Sequence, residues 1–319
     1  MTAENFWDRE GSSTAFHATN WMQNPRVHEY INASIGAPEH PLWPLDWFEQ
    51  WLGDRRFKRA LSIGCGTGAL ERDLVRRNLC DRVDAFDGSL TSLAIARDEA
   101  RRAGVDRRVG YFVSDFNRPA LPRRRYDVVL VHQAMHHVAK LEKLMRAILL
   151  TLEPDGMLYL DEYIGPSRDE WTEERYAAQR TFFASIPRES VYVTTLPYPV
   201  VLQDPSEAFR SSEIVPQLRI GFDVVAFRGY GGNLLAPIVP AVDWNLAPPG
   251  LLERLIESER DLLASGAAPF HALIVARPKR RTAKLLASWR YFTEPKLKRI
   301  GREVRARAAG KPVGQESPL

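Results

Sequence analysis

The sequence predicts an α/β protein built on a doubly wound, mostly parallel sheet of seven strands. Three observations predict this fold. From residue 58 onward, short apolar runs alternate with runs of helical periodicity, as strands joined by crossover helices do. A glycine-rich turn at residues 64–68 follows the first apolar run. Asp87 and Asp115 stand at the ends of the next two runs, which is the edge of a parallel sheet where ligands bind.

The individual elements follow from these patterns in chain order. The first helix keeps Leu70, Leu74 and Val75 on one face, and Pro154-Asp155-Gly156 indicates a helix stop before the fifth strand. Strands are predicted over residues 59–63, 82–86, 109–113, 126–131, 157–163, 222–227 and 270–276. Helices are predicted over residues 69–77, 89–103, 141–152 and 251–264.

These elements divide the chain into five predicted segments. An aromatic-rich N-terminal cap precedes a ligand-binding core, and an insertion rich in proline and charge interrupts the alternation after the fifth strand. The C-terminal part of the sheet and a basic amphipathic tail follow. The predicted bounds are 1–57 for the cap, 58–164 for the core, 165–215 for the insertion, 216–278 for the rest of the sheet and 279–319 for the tail. We expect the cap and the insertion to cover the site and select its substrate.

The composition is that of an ordinary globular protein. Of 319 residues, 45% are hydrophobic and 26% are charged, a balance that can bury a full core. No long uncharged apolar run suggests a membrane span, and the first ten residues carry neither a basic nor an apolar signal region. Two cysteines, Cys65 and Cys80, are too few for a disulfide framework and indicate a reducing compartment. We therefore expect a cytoplasmic protein.

The net charge of +4 is unevenly distributed along the chain. From Arg277 to the end the sequence carries +10, so residues 1–276 carry −6. In the tail, Leu285, Trp289 and Phe292 recur at helical spacing among basic residues, which predicts an anionic membrane surface as partner, with the protein peripheral at its inner face. A solvated extension is the alternative. Nucleic acid is not the expected partner, because no recognition motif accompanies the charge.

The glycine-rich turn and the two aspartates indicate a nucleoside-containing cofactor. Glycine lets the backbone approach a ligand where a Cβ would clash, and the turn opens a helix with free N–H donors. Asp87 can accept both hydroxyls of a ribose, which fits either a nicotinamide or an adenosyl cofactor. Asp115 can accept a hydrogen bond from an adenine amino group while Phe116 packs on the ring, although a helix N-cap is the alternative role of Asp115.

Taken in order, these motifs resemble the class I S-adenosylmethionine-dependent methyltransferases. The resemblance covers residues 58–164 and includes the strand at 126–131 and the turn at 154–156. It implies a Rossmann-like fold with an antiparallel last strand, assigned here to residues 270–276, and S-adenosyl-L-methionine as cofactor. It also implies that the glycines face the methionine part of the cofactor, that Asp87 binds the ribose and that Asp115 with Phe116 binds the adenine. The implied cofactor-binding residues are Gly64, Cys65, Gly66, Gly68, Asp87, Gly88, Asp115, Phe116 and His132.

A finer resemblance concerns the substrate. The segments at residues 231–235 and 270–278, with Asn20-Trp21 and Pro25, look like a bacterial subgroup associated with glycan modification. Together with the basic tail, this resemblance implies O-methylation of a sugar or glycan-type acceptor. A natural-product phenol, amine or carboxylate is the alternative acceptor. An NAD(P)-dependent oxidoreductase, built on Gly64-x-Gly66-x-x-Ala69, and a non-catalytic cofactor-binding scaffold are the alternatives from other classes.

Catalysis of methyl transfer to a hydroxyl needs a base, because the attacking oxygen must lose its proton. His132, His136 and Glu162 lie at the ends of the fourth and fifth strands, and histidine has a suitable pKa of ~6.5. We expect His136 to be the base, ahead of His132 and Glu162. The spacing of His132 and His136 also suggests a metal, but no metal is expected, because His132 should lie at the strand end and off any shared helix face.

Overall fold

The computed structural model describes residue 8 and residues 20–36, 44–198 and 204–279. Seven strands within these ranges form one sheet. They are β1 (Phe57–Ile63), β2 (Cys80–Asp87), β3 (Val109–Val113), β4 (Tyr126–His132), β5 (Leu152–Tyr163), β6 (Phe222–Gly231) and β7 (His271–Pro278). The α-helices are α1 (Pro25–Ile35), α2 (Pro44–Leu52), α3 (Ala69–Arg76), α4 (Leu90–Arg102), α5 (Leu141–Thr151), α6 (Ala177–Ala184), α7 (Ile214–Gly221), α8 (Leu235–Ile238) and α9 (Leu251–Ala264).

The strand order in the sheet is β3-β2-β1-β4-β5-β7-β6. The first five strands run parallel to one another, and β7 lies antiparallel between β5 and β6. The chain moves outward from β1 to β3 and then returns to the other side of β1 with β4. Because the order reverses between β1 and β4, their carboxyl ends border the crevice where open α/β sheets bind ligands.

Two apolar clusters cover the two faces of the sheet, because neighbouring residues of a strand point to opposite faces. Ala60 belongs to the cluster that includes Tyr30 of α1 and Phe48 of α2. Its neighbour Leu61 belongs to the other cluster, which includes Ile148 of α5. The N-terminal helices are therefore an integral part of the core on one face, and this burial fixes their position beside the crevice.

The structure confirms the predicted fold class and the antiparallel strand assigned to residues 270–276. The predicted strands and helices are found with bounds that differ by a few residues. One difference concerns the turn at Pro154-Asp155-Gly156, which lies inside β5. There the register with β4 shifts between the pairs Tyr126–Leu152 and Val128–Met157, so the extra residues form a bulge rather than a separate turn.

Two predictions concern the surroundings of the protein. None of the helices among the described residues combines the length and the apolar character that a membrane span requires. The tail beyond Lys279 lies outside the described residues. Its predicted binding to an anionic membrane surface, and the peripheral location that follows from it, therefore stay predictions.

Candidate active site

A cavity of about 1060 Å³ opens at the carboxyl ends of β1 and β4. All the residues predicted to bind the cofactor line it except Gly68, whereas the predicted catalytic residues His136 and Glu162 do not. The predicted residues in its wall are Gly64, Cys65, Gly66, Asp87, Gly88, Asp115, Phe116 and His132. The fold thus brings together predicted residues that are up to 68 positions apart in the sequence, since Gly64 and His132 share the cavity wall.

The three glycines of the turn serve different purposes. Gly64, Gly66 and Gly68 all have positive φ angles, of 73°, 51° and 77°. A Cβ on Gly64 would collide with Ala134, and one on Gly68 would collide with the Tyr111 ring. A Cβ on Gly66 would meet no atom within 4 Å. Gly64 and Gly68 are therefore needed for packing of the turn, while Gly66 leaves its backbone open toward the cavity.

Asp87 holds the turn in place from the end of β2. Its Oδ2 accepts a hydrogen bond from Gly66 N at 2.8 Å, and its Oδ1 accepts one from Ser89 N at 2.8 Å. Burial raises the pKa of the Asp87 carboxyl, and these backbone donors oppose that effect. Each carboxylate oxygen can accept more than one hydrogen bond, so Asp87 can still receive hydroxyl groups from a ligand.

Asp115 and Phe116 form the adjoining wall of the cavity after β3. Asp115 Oδ1 accepts a hydrogen bond from Asn117 N at 2.8 Å, so this residue starts a tight turn, as an aspartate does when its side chain caps the backbone. Its other oxygen lies 3.8 Å from Arg118 Nε. No helix starts at Asp115, so the helix N-cap alternative is wrong, and the predicted adenine role of Asp115 is compatible with the turn because the residue also lines the cavity.

Glu71 is a cavity residue that the sequence analysis missed. It lies in α3 with no solvent exposure, and it lines the cavity beside the glycine turn. Ser62 Oγ donates a hydrogen bond to its Oε1, whereas its Oε2 is buried without a hydrogen-bond partner. Burial raises the pKa of Glu71. A buried carboxylate oxygen without a donor is costly, so Glu71 Oε2 needs a partner beyond the hydrogen bonds found among the described residues.

His132 and Asp161 face each other across neighbouring strands. The parallel register of β4 and β5 pairs the two residues, and Asp161 Oδ2 lies 3.1 Å from His132 Nδ1. Tyr230 in β6 donates a hydrogen bond to Asp161 Oδ1 at 2.6 Å. The Asp161 side chain is 3% exposed, whereas that of His132 is 42% exposed and borders the cavity. Asp161 thus fixes the orientation of the His132 imidazole at Nδ1, while the exposed part of the ring faces the cavity.

The Asp161 carboxylate also sets the charge preference of His132. Partial burial disfavours the imidazolium form, but Asp161, with smaller contributions from Glu162 and Glu71, raises the pKa of His132 above 6.5. In turn, His132 lowers the pKa of Asp161 against the effect of burial. Gln133 follows His132 in the left-handed region at φ 49°, and its Nε2 donates to Tyr230 Oη at 3.2 Å.

His136 and Glu162, the other predicted catalytic residues, lie behind this wall. Glu162 accepts hydrogen bonds from the backbone N–H groups of Ala134 and Met135 and lies 2.5 Å from His136 Nδ1. Burial disfavours a charged His136, but Glu162 raises the pKa of His136 to about 9. Because neither side chain lines the cavity, the geometry favours His132 over His136 as the residue that meets a substrate.

A second group missed by the sequence analysis lies next to His136. Asp204, Ser206 and Glu207 belong to the insertion and pack against His136 and His137. His137 Nδ1 lies 3.1 Å from Ser206 Oγ and 3.3 Å from Asp204 Oδ2. Burial and the neighbouring His136 lower the pKa of His137 well below 6.5. The acidic residues at 204 and 207 carry no motif, so only the folded chain brings them to the histidines.

One part of the cavity lining is largely apolar and aromatic. It is formed by the N-terminal helices and by strands β5 and β6. The residues concerned are Met22, Ile31, Pro44, Leu45, Tyr159 and Tyr230. Asn20, Gln23 and His28 add polar groups to the same wall. A molecule held here would therefore have an apolar or aromatic body with a few polar substituents.

Residues 61–160 match a family described as methyltransferase domain. The chain is 27% identical over 158 residues to a ubiquinone biosynthesis O-methyltransferase of Aeromonas salmonicida, a match that covers 50% of this chain and 56% of the relative. It is 29% identical over 153 residues to the Azorhizobium caulinodans protein of the same name, covering 48% and 55%. The chain thus spans about half the length of the curated relatives it matches.

Solved structures of similar fold include two methyltransferases. A geranyl diphosphate C-methyltransferase from Streptomyces coelicolor is 15% identical, with a TM-score of 0.53 and coverage of 87% of this chain and 96% of that one. A phosphoethanolamine N-methyltransferase from Haemonchus contortus is 17% identical, with a TM-score of 0.51 and coverage of 88% and 61%. At these identities the likeness shows the fold alone, and it agrees with the predicted Rossmann-like architecture.

The matched methyltransferase domain, at residues 61–160, agrees with the predicted enzyme class. It disagrees with the nicotinamide alternative. None of the similar proteins described above acts, by its name, on a sugar or a glycan, so the predicted glycan acceptor stays a prediction.

Proposed function

We propose that this chain is a class I S-adenosylmethionine-dependent methyltransferase and that it transfers the methyl group to a hydroxyl oxygen of a small molecule. The observation that carries the proposal is the His132–Asp161 pair at the cavity wall. An oriented imidazole with an open front is the arrangement that a hydroxyl acceptor needs in order to lose its proton. The curated relatives, whose name specifies an O-methyltransferase, agree with an oxygen acceptor.

The residues of the cavity fit the cofactor. When bound, S-adenosylmethionine supplies a methyl group on a positively charged sulfur. We assign its ribose hydroxyls to Asp87, its adenine to Asp115 and Phe116, and its amino group to the buried Glu71 Oε2, which otherwise has no partner. Gly66 has room for a ligand directly at the backbone. The cofactor amino group is an ammonium, so it would give Glu71 Oε2 both a hydrogen-bond donor and a positively charged partner.

His132 acts as the base in this proposal. Its Nδ1 faces Asp161, which leaves Nε2 to accept the proton of the acceptor hydroxyl. Asp161 fixes the tautomer and stabilises the imidazolium that forms, and the Tyr230 hydroxyl holds Asp161 in turn. The displacement is in line, so the remaining contribution of the protein is to place the hydroxyl oxygen behind the methyl group.

The lining of the cavity narrows the acceptor class. The wall formed by Met22, Ile31, Leu45 and Tyr159 favours a hydroxyl on an aromatic or otherwise apolar body. A sugar hydroxyl, the acceptor expected from the sequence, requires the same base and is the second compound class to be tested.

The test is an assay of the purified chain with methyl-labelled S-adenosylmethionine and four acceptors: a catechol, an aliphatic alcohol, a nucleotide sugar and an aromatic amine. We expect labelled ether product from the catechol or from one of the two alcohol-type acceptors, identified by mass spectrometry. Methylation of the amine alone would contradict the proposal, as would production of S-adenosylhomocysteine that no hydroxyl acceptor increases.

The pH dependence of turnover should report the charge of His132. A base must be neutral to accept a proton, and the pKa of His132 is raised, so turnover should increase with pH along a limb centred above pH 6.5. Asp161→Asn removes the carboxylate that raises this pKa and should move the limb to lower pH while lowering the plateau. Tyr230→Phe is the matched control, because it keeps the Asp161 charge and should leave the limb above pH 6.5. A profile that is the same in Asp161→Asn and wild type would exclude His132 as the base.

Glu71→Gln tests the amino-group assignment. The substitution keeps an acceptor for Ser62 Oγ but replaces the carboxyl group by a neutral amide. We expect the affinity for S-adenosylhomocysteine to fall by about tenfold to a hundredfold, the size of a hydrogen bond to a charged group. The affinity for 5′-methylthioadenosine, which lacks the amino acid part, should not change. Isothermal titration calorimetry measures both, and an equal loss for the two ligands would show that Glu71 only supports the fold.

A further inference from the structure

The loop after β4 and the insertion together form a compact group of nitrogen and oxygen donors. His136 Nε2 and His137 Nδ1 each lie 3.8 Å from the same carboxylate oxygen, Glu207 Oε2. The ligand atoms of these three side chains all lie within 4.8 Å of one another. Asp204 Oδ2 is 3.3 Å from His137 Nδ1 and adds a second carboxylate at the same place.

These distances suit a shared ion better than direct bonding. A separation of 3.8 Å is too long for a hydrogen bond between a ring nitrogen and a carboxylate. Two donors that bind one zinc ion at about 2.0–2.1 Å in tetrahedral geometry lie about 3.4 Å apart. Both separations from Glu207 exceed this value by only about 0.4 Å, and all three ligand atoms lie within 4.8 Å of one another, so side-chain adjustments of about an ångström would bring them onto one ion.

An independent observation concerns the other nitrogen of His136. Its Nδ1 is bound by Glu162, which has no solvent exposure and is itself fixed by the backbone N–H groups of Ala134 and Met135. Histidines that bind metals usually donate their second ring N–H to a carboxylate, because this fixes the ring and the tautomer. The arrangement leaves His136 Nε2 directed at Glu207.

The balance of charge in the group points the same way. Three carboxylates, those of Glu162, Asp204 and Glu207, surround the two imidazoles, and their side chains are 0%, 0% and 17% exposed. Buried carboxylates are costly unless positive charge lies nearby, and a divalent ion that takes the place of the proton on His136 Nε2 would supply more of it than that proton does. Arg168 lies nearby, but its guanidinium donates to the backbone carbonyls of Asp204 and Pro205.

We propose that His136, His137 and Glu207 bind a divalent transition-metal ion, zinc in the first place, with Asp204 beside it as a fourth donor. Imidazole and carboxylate ligands without sulfur suit zinc and its neighbours in the first transition row better than magnesium. This proposal departs from the expectation of no metal, which considered the pair His132 and His136. His132 is not a ligand in this proposal, and the carboxylate ligand, Glu207, comes from the insertion.

The position of this site indicates what the ion would do. His136 and His137 follow β4 in the core, whereas Asp204 and Glu207 belong to the insertion, so an ion would fasten the insertion to the core. Phe209 N already donates to His136 O at 3.0 Å across the same junction. His137 and Ser206 also line the cavity, so the site adjoins the acceptor without containing the proposed base.

The experiment uses the full chain without an affinity tag, freed of metal by a chelator and titrated with Zn²⁺ alone. We expect one equivalent to bind in competition with a chromophoric chelator and to raise the melting temperature. Glu207→Gln and His137→Gln should each weaken binding by more than the ~10–100-fold loss that follows removal of an outer partner of a metal ligand. Glu174→Gln, an exposed acid of the same insertion, should bind Zn²⁺ as the wild type does.

Several results would overturn the assignment. These are no binding by the wild type, equal binding by the wild type and Glu207→Gln, or equally tight binding of Mg²⁺ and Zn²⁺. Binding of S-adenosylhomocysteine verifies that each variant is folded, and it is measured without zinc or acceptor. If a variant does not fold, X-ray absorption spectroscopy of the wild-type zinc complex tests the ligand assignment, because the spectrum should show two imidazole ligands and no sulfur ligand.

Discussion

His132→Ala should lower turnover by about 10²–10⁴-fold at saturating hydroxyl acceptor, the usual contribution of a positioned general base. The imidazole is the side chain at the cavity wall that is both oriented, through Asp161, and exposed to a substrate. The loss should appear in kcat and kcat/KM alike, because proton removal occurs in the transition state. Single-turnover and steady-state rates measure it.

The affinity of this variant for S-adenosylhomocysteine should remain within a few-fold of wild type, which separates a chemical defect from a misfolded site. The informative companion is His136→Gln. If His136→Gln abolishes turnover and His132→Ala does not, the ranking from the sequence is correct and the geometric argument is wrong. An acceptor such as a phenolate that has already lost its proton should partly rescue His132→Ala at high pH, because it needs no base.

Asp87→Ala should reduce the affinity for S-adenosylhomocysteine by about tenfold to a hundredfold or more. A hydrogen bond to a charged group contributes about 1.5–3 kcal/mol, which corresponds to one to two decades in affinity. Asp87 also accepts from Gly66 N and Ser89 N, so its removal releases the glycine turn as well. Calorimetric titration gives the affinity.

The matched variant is Asp87→Asn, which keeps the shape and one acceptor oxygen and should bind with intermediate affinity. Asp87→Ala should weaken 5′-methylthioadenosine as much as S-adenosylhomocysteine, because both carry the ribose. This separates its role from that of Glu71, whose effect should be confined to the ligand with an amino group. Unchanged affinity of Asp87→Ala for both ligands would contradict the ribose assignment.

Much of the cofactor side of the cavity could be predicted because its parts are local in the sequence. A glycine turn after an apolar run and an acid at the end of a strand are set by backbone geometry over a few residues. The parallel sheet then places all strand ends at one edge. Gly64, Asp87 and Asp115 were therefore predicted at the cavity, and the structure places them in its wall.

The choice among the histidines could not be made in this way. His132, His136 and His137 lie within six residues, and the sequence gives each the same chemistry. Their surroundings differ. His132 ends β4 and pairs with Asp161 of β5, whereas the turn that follows β4 buries His136 against Glu162, away from the cavity. The register of β4 with β5 places the His132 ring at the cavity, and the contact with Glu162, 26 residues away in the sequence, holds the His136 ring away from it.

The sequence by itself determined the fold class, the order of the elements and the edge of the sheet at which the cavity opens. Periodicity and turn residues carry that information within short windows. Only the tertiary structure decided that Glu71 is a buried carboxylate with an unpartnered oxygen, and that Asp204 and Glu207 meet His136 and His137. These features depend on contacts between segments remote in the chain, and burial gives their charges a cost that no local pattern of residues records.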